Sequence, residues 1–157
     1  MSTEKSIQPF EDPLENYDAP KFDDPVEQAL HDASVTSLQS QPFLCVDSST
    51  SVRDAMKLMT GKHISCVLVT EDAKLVGVFG DRDVLDKVAL EYDDVIDEPV
   101  STVMSTDPAF VGEFDSAAKA LAVMVGSGYR HIPIVNDKSV PIGIISPQRF
   151  SKFLADQ

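Results

Sequence analysis

Asp81 and Asp83 stand two residues apart just after Gly77 and Gly80, Ser146 directly precedes Pro147, and Arg130 adjoins His131. These are the side chains whose types and neighbours suit ligand chemistry: carboxylates to accept from donors or meet a cation, a hydroxyl at a helix start, and a basic pair to meet an anion. Catalysis finds little among them. No nucleophile is paired with a base, no glycine-rich loop ends in Lys-Ser or Lys-Thr, and no dinucleotide fingerprint is present. His31, His63 and His131 lie far apart in the chain, so no two have metal-ligand spacing. Asp81 with Asp83, and the acids of 91–98, carry the charge to hold Mg2+, yet such patterns more often make capping or solvated carboxylates. Cys45 and Cys66 sit inside apolar runs rather than in a Cys-x-x-Cys pair, which predicts buried, inert thiols and neither a disulfide nor zinc. The expectation is a binding protein, not an enzyme, with no metal and no required cofactor.

The chain that must position these residues has 157 of them, 43% hydrophobic and 25% charged, enough for one compact domain or two small ones. Thirteen Lys and Arg against 26 Asp and Glu leave a net charge of −13, which repels phosphodiester backbones and anionic lipid. Nucleic acid and membrane surfaces are therefore excluded as general partners. The longest apolar run, 120–125, is far short of the roughly 20 residues a span needs, and the start is not a secretory n-region, so a cytoplasmic protein is expected.

Residues 1–33 are acidic, with a net charge of −7 and four prolines (Pro9, Pro13, Pro20, Pro25), and are expected to form an extended arm outside the core. Phe10, Leu14, Tyr17 and Phe22 recur along it as isolated anchors. From residue 34 the chain repeats itself with a period of about 65 residues. Val52, Ala55, Met56 and Met59 make a helical stripe, followed by apolar runs at 66–69 and 75–80 and then Val84, Leu85 and Val88. Ala117, Ala120, Leu121 and Met124 answer at the same spacing, followed by runs at 132–135 and 141–146 and then Phe150, Phe153 and Leu154. Both copies, 34–90 and 100–157, read strand, helix, strand, strand, helix, joined by an exposed acidic linker at 91–99. Ser51 with Asp54 suits a capping box, Asp115 suits the cap of the second-copy helix, and Ser146-Pro147 suits an N-cap with proline at the first helical position. Polar connections at 70–74 and 136–139 suit hairpins.

This double unit, with Gly-hydrophobic-x-x-x-x-Asp at 77–83 opening the last helix and Arg-His-Ile-Pro-Ile-Val at 130–135, resembles the tandem CBS domain pair, or Bateman module, over about residues 34–154. The resemblance implies an α+β fold of two β-α-β-β-α repeats packed about a pseudo-twofold axis, with clefts for adenine-containing ligands. It also implies a motif whose Ser or Thr meets phosphate and whose Asp accepts from the ribose hydroxyls. An ionised carboxylate matches a ribose diol well, at about 1.5–3 kcal/mol per charge-assisted bond. The two copies depart from the motif in opposite ways: the first keeps Asp83 but has Gly80 for the hydroxyl residue, and the second keeps Ser146 but has Arg149 for the Asp. Gly80 lets backbone amides approach a phosphate, and Arg82 adds a charge beside Asp83. By the same resemblance, Arg130 and His131, ahead of Ile132 and Pro133, are placed to reach ligand phosphate, while Leu44, Cys45, Ile64, Ser65 and Cys66 wall an adenine pocket.

The function implied is a ligand sensor for AMP or another adenine nucleotide, with ADP, ATP and S-adenosylmethionine as alternatives, acting through its own homodimer or a protein target. AMP leads because one carboxylate and one basic cluster suit a single phosphate, and the net charge of −13 disfavours more anionic ligands. The competing reading is a ligand-free interaction module whose acidic arm recruits a basic partner.

Overall fold

A computed structural model of the chain describes residues 20–40 and 43–157. Three of the arm's anchors, Phe10, Leu14 and Tyr17, together with Pro9 and Pro13, lie outside the described residues. The described chain opens with α1 (Pro25–Asp32), a 3-10 turn (Val35–Leu38) and the short strand β1 (Gln39–Ser40). The first repeat follows as β2 (Cys45–Asp47), α2 (Val52–Lys62), β3 (Cys66–Glu71), β4 (Lys74–Gly80) and α3 (Asp81–Asp83), which runs into a π-helical turn (Val84–Val88). After α4 (Tyr92–Val95) and β5 (Ser105–Thr106), the second repeat runs β6 (Val111–Gly112), α5 (Ala117–Ser127), β7 (Ile132–Val135), β8 (Pro141–Ile145) and α6 (Pro147–Ala155).

The strand, helix, strand, strand, helix order is thus present twice, in two four-stranded sheets ordered β2-β3-β4-β5 and β1-β8-β7-β6. Each sheet is completed at one edge by a strand from across the repeat boundary: β1 pairs with β8, and β5 with β4. The internal strands β3 and β7 are near-continuous apolar runs because they are covered on both faces.

Local chemistry sets the boundaries. Ser51 Oγ accepts from Asp54 N at 3.1 Å to start α2. The second-copy helix is capped by Ser116, which accepts from Lys119 N at 3.2 Å, and not by Asp115 as expected. Asp115 instead accepts from Gly112 N at 2.7 Å and Lys119 Nζ at 2.8 Å, closing the loop before the helix. The two helices end alike in a left-handed residue, His63 (φ 53°) after α2 and Gly128 (φ 71°) after α5. The β3–β4 turn places Asp72 and Ala73 at φ 50° and 65°, a two-residue hairpin turn that twists with its strands. A β-carbon at Ala73 is costly there, so Ala73→Gly is expected to raise the unfolding free energy by about 0.5–1 kcal/mol. Urea denaturation would report it as a higher midpoint at unchanged slope; a lower midpoint would contradict the turn assignment.

Three apolar clusters hold the fold. One fills the first repeat around Val67, Val69 and Phe79, a second fills the other repeat around Ile132, Ile134 and Ile145, and a third, of Leu68, Val78 and Ile144, lies between the sheets. The helical stripes are core first: Val52, Ala55, Ala117 and Ala120 are fully buried. Two expectations need correction. The segment before residue 34 is not wholly an arm, because α1 packs against α5 and its Leu30, with Ala33, joins the second core along with Val35 and Leu38. The acidic stretch 91–99 is not simply an exposed linker: it forms α4 and sends Ile96, 4% exposed, into the first core, so that its apolar positions dominate the local fold while its acids face water.

Candidate functional site

Asp83 sits where β4 passes into α3, 8% exposed, and its carboxylate is already engaged. Its Oδ2 accepts from Gly80 N at 3.0 Å, reaching back to the residue that opens the helix. Its Oδ1 accepts from Lys87 Nζ at 2.9 Å and from Ser105 Oγ at 2.8 Å. Lys87 also donates to the carbonyls of Val103 (3.0 Å) and Met104 (3.3 Å), tying the π-helical turn to the segment that enters the second repeat. Neither Lys87 nor Ser105 was identified from the sequence. Lys87 had a signal, the four-residue spacing from Asp83, whereas the two-residue strand holding Ser105 had none. Gly80 packs directly on β3: a β-carbon there would lie 3.2 Å from the Ser65 carbonyl oxygen and 3.3 Å from Cys66 Cβ. That crowding is a packing reason for a missing side chain where the motif has a hydroxyl.

A cavity of about 170 Å³ lies between the repeats. Its apolar wall is Phe43, Leu44, Ile64, Leu68 and Ile144, and its polar wall is His63, Ser65, Cys66, His131 and Ser146. Six of the residues singled out from sequence, Leu44, Ile64, Ser65, Cys66, His131 and Ser146, thus meet in one place, with the first repeat supplying four and the second two. Ser65 Oγ and His131 Nε2 make a hydrogen bond of 3.3 Å across the boundary. The sequence reading missed Phe43, Leu68 and Ile144; the apolar pair Phe43-Leu44 just ahead of β2 was the available signal.

The other candidates lie elsewhere. Asp83 and Gly80 are not in the cavity wall, although Gly80 pairs in register with Cys66. Arg82 is exposed and 3.7 Å from Asp86, and Arg130 and Arg149 are exposed. Ile132 and Pro133 are buried in β7. Cys45, expected to be buried, is exposed, because the three-residue β2 turns only Val46 inward. Cys66 is half-buried, and its thiol is pushed up to about 12 by burial and by the neighbouring Asp81 and Asp83 carboxylates, so it stays protonated and a poor nucleophile.

A second, outer cavity of about 450 Å³ opens between α2 and the start of the last helix of the first repeat, and shares His63, Ile64 and Ser65 with the inner one. Met56, Met59, Val84 and Leu85 make its apolar lining, and Leu85, in the π-helical turn, is 69% exposed. Among the described residues, no three His, Cys, Asp or Glu side chains converge as a metal site, and no helix is long and apolar enough to cross a membrane.

Comparison with known proteins agrees with this architecture. The chain is 33% identical over 108 residues to the CBS domain-containing protein CBSCBSPB5 of Arabidopsis thaliana, which covers 68% of this chain but only 20% of that protein. It therefore spans about a fifth of the length of that relative. The crystal structure of CBSX2 in complex with AMP superimposes with a TM-score of 0.69 at 25% identity, covering 79% of this chain and 97% of that one. The CBS domain pair of protein MJ0100, solved with 5′-methylthioadenosine and S-adenosyl-L-methionine, shares the fold at a TM-score of 0.69 and 18% identity over 79% of this chain and 97% of its own. The CBS domain family model matches residues 35–90 and again 100–156, so this chain belongs to the CBS domain family and carries two copies in tandem.

Proposed function

We propose that this chain is a regulatory module that binds an adenine-containing ligand, AMP foremost, and signals through a partner or a second copy of itself in the cytoplasm. The observation that carries the reading is the cavity between the repeats, whose wall is shared by both and bridged by Ser65 and His131. A ligand lodged there touches both repeats at once and so biases their relative arrangement, which is what a sensor requires. Support comes from the similar CBSX2 structure, which was solved with AMP. The inner and outer cavities share a wall, so a ligand lodged between the repeats has room to extend toward the helix side. Asp83 is the ribose acceptor that the family motif offers, although it lines neither cavity and its Oδ1 already accepts from Lys87 and Ser105.

A thermal-shift scan against AMP, ADP, ATP with and without Mg2+, and S-adenosylmethionine tests this directly. At about 100 times its dissociation constant a ligand adds roughly 2.7 kcal/mol, enough for a rise of about 5–10 °C in a chain of this size. Selective stabilisation by one adenine compound is the expected result. Flat curves across the panel favour the ligand-free interaction module, a reading with one observation on its side: Asp83 is already satisfied by Gly80, Lys87 and Ser105.

A further inference from the structure

This inference rests on the adenine-ligand reading and concerns the charge of what enters the inner cavity. Among the described residues, its wall holds no carboxylate, no lysine and no arginine. The side chains there able to become cationic are His63 and His131, since the Cys66 thiol stays neutral. An anion taken out of water in that wall without a countercharge is strongly disfavoured.

His131 is placed to supply the charge. It is half-buried, and Ser65 Oγ lies 3.3 Å from its Nε2. A hydroxyl donates to a neutral ring nitrogen and accepts from a protonated one, so this contact between the repeats survives a change of protonation. Burial holds the imidazole below the ordinary histidine value, Asp81 at the start of α3 pulls it upward, and Arg130 beside it pushes it down. His63 and Cys66 share the cavity wall with it. In the free protein near neutral pH the ring is therefore uncharged, and a ligand anion nearby supplies what burial withholds. His63 points to the same place from another direction. It occupies, at φ 53°, the left-handed position that the second repeat fills with Gly128, and it lies on the wall common to both cavities.

We propose that an anionic adenine ligand such as AMP enters the inner cavity together with one proton, which His131 accepts, so that the module reads ligand and pH jointly. Adenosine, with the same base and ribose but no charge, enters without the proton.

Isothermal titration calorimetry of the full chain with AMP and with adenosine, from about pH 6.5 to 8 in buffers of different ionisation enthalpy, counts the protons. The expected result is uptake approaching one proton per AMP, with affinity strengthening as pH falls by up to about tenfold per pH unit, and none for adenosine. The strengthening levels off once His131 is protonated in the free protein. H131Q, checked for an unchanged thermal transition, loses the uptake that AMP brings to the wild-type protein. AMP binding that is flat with pH and equal in the two proteins overturns the inference while leaving the ligand reading intact. Uptake that persists in H131Q and disappears in H63Q also overturns it, giving the proton to the other imidazole. Binding of neither compound across the range removes the ligand reading, and this inference falls with it.

Discussion

Asp83→Ala is expected to lower the unfolding free energy by about 2–4 kcal/mol. Three donors lose their acceptor at once: the Gly80 amide, the Ser105 hydroxyl and the Lys87 ammonium. The Lys87 side chain is 42% exposed and recovers part of its loss from water, whereas Asp83 at 10% shields the rest. The damage also spreads, because Lys87 steers the Val103 and Met104 carbonyls as well, and its release frees the segment that enters the second repeat. Asp83→Asn retains an acceptor for Gly80 N and loses the ion pair, so it should cost about half as much. Urea denaturation of the three proteins would measure this, and an alanine variant as stable as wild type would show that the network contributes nothing. A loss of ligand binding in Asp83→Ala does not by itself identify a ribose contact. The asparagine variant, folded but altered in charge, is the one that separates the two roles.

Leu68→Ala should be comparably severe, at about 2–4 kcal/mol. Leu68 is fully buried on β3 against Val78 and Ile144, where the two sheets meet, and it also lines the inner cavity. Truncation enlarges a space that already exists, so its neighbours have little with which to refill it, and contact between the repeats is lost together with contact inside one. Leu85→Ala is the matched control. With Leu85 69% exposed, it should change stability by no more than about 0.5 kcal/mol. Equal costs for the two would contradict the assignment of Leu68 to the boundary between repeats.

Much of this architecture was legible because it is written twice. The stripe Val52, Ala55, Met59 and its echo Ala117, Ala120 carry enough periodic burial to declare helices, and the apolar runs at β3 and β7 declare strands covered on both faces. What was not legible depends on contacts between elements. Strands of two residues, such as β1 and β5, have no alternation to read, and their partners lie across the repeat boundary. The cap of α5 fell one residue from the expected place because Asp115 found better donors in Gly112 and Lys119. At the site, the family motif drew attention to Asp83 in the first copy and to Ser146 in the second, which stand at different positions of that motif. The fold sends one into a network with Lys87 and the other into a cavity with His131, and only tertiary packing makes that distinction.

The exchange of edge strands makes the two repeats partners in one folding event. Neither sheet is whole without a segment that chain order assigns to the other side, so excising one repeat would expose an unpaired edge on what remains and remove the very strand that the other needs. Cooperativity follows: loosening at β5 frays the first sheet while pulling on the entry to the second, and the two halves share one stability rather than each holding its own. On the sensor role proposed above, that shared stability would be a transmission line, with Lys87 and Ser105 at one of its junctions.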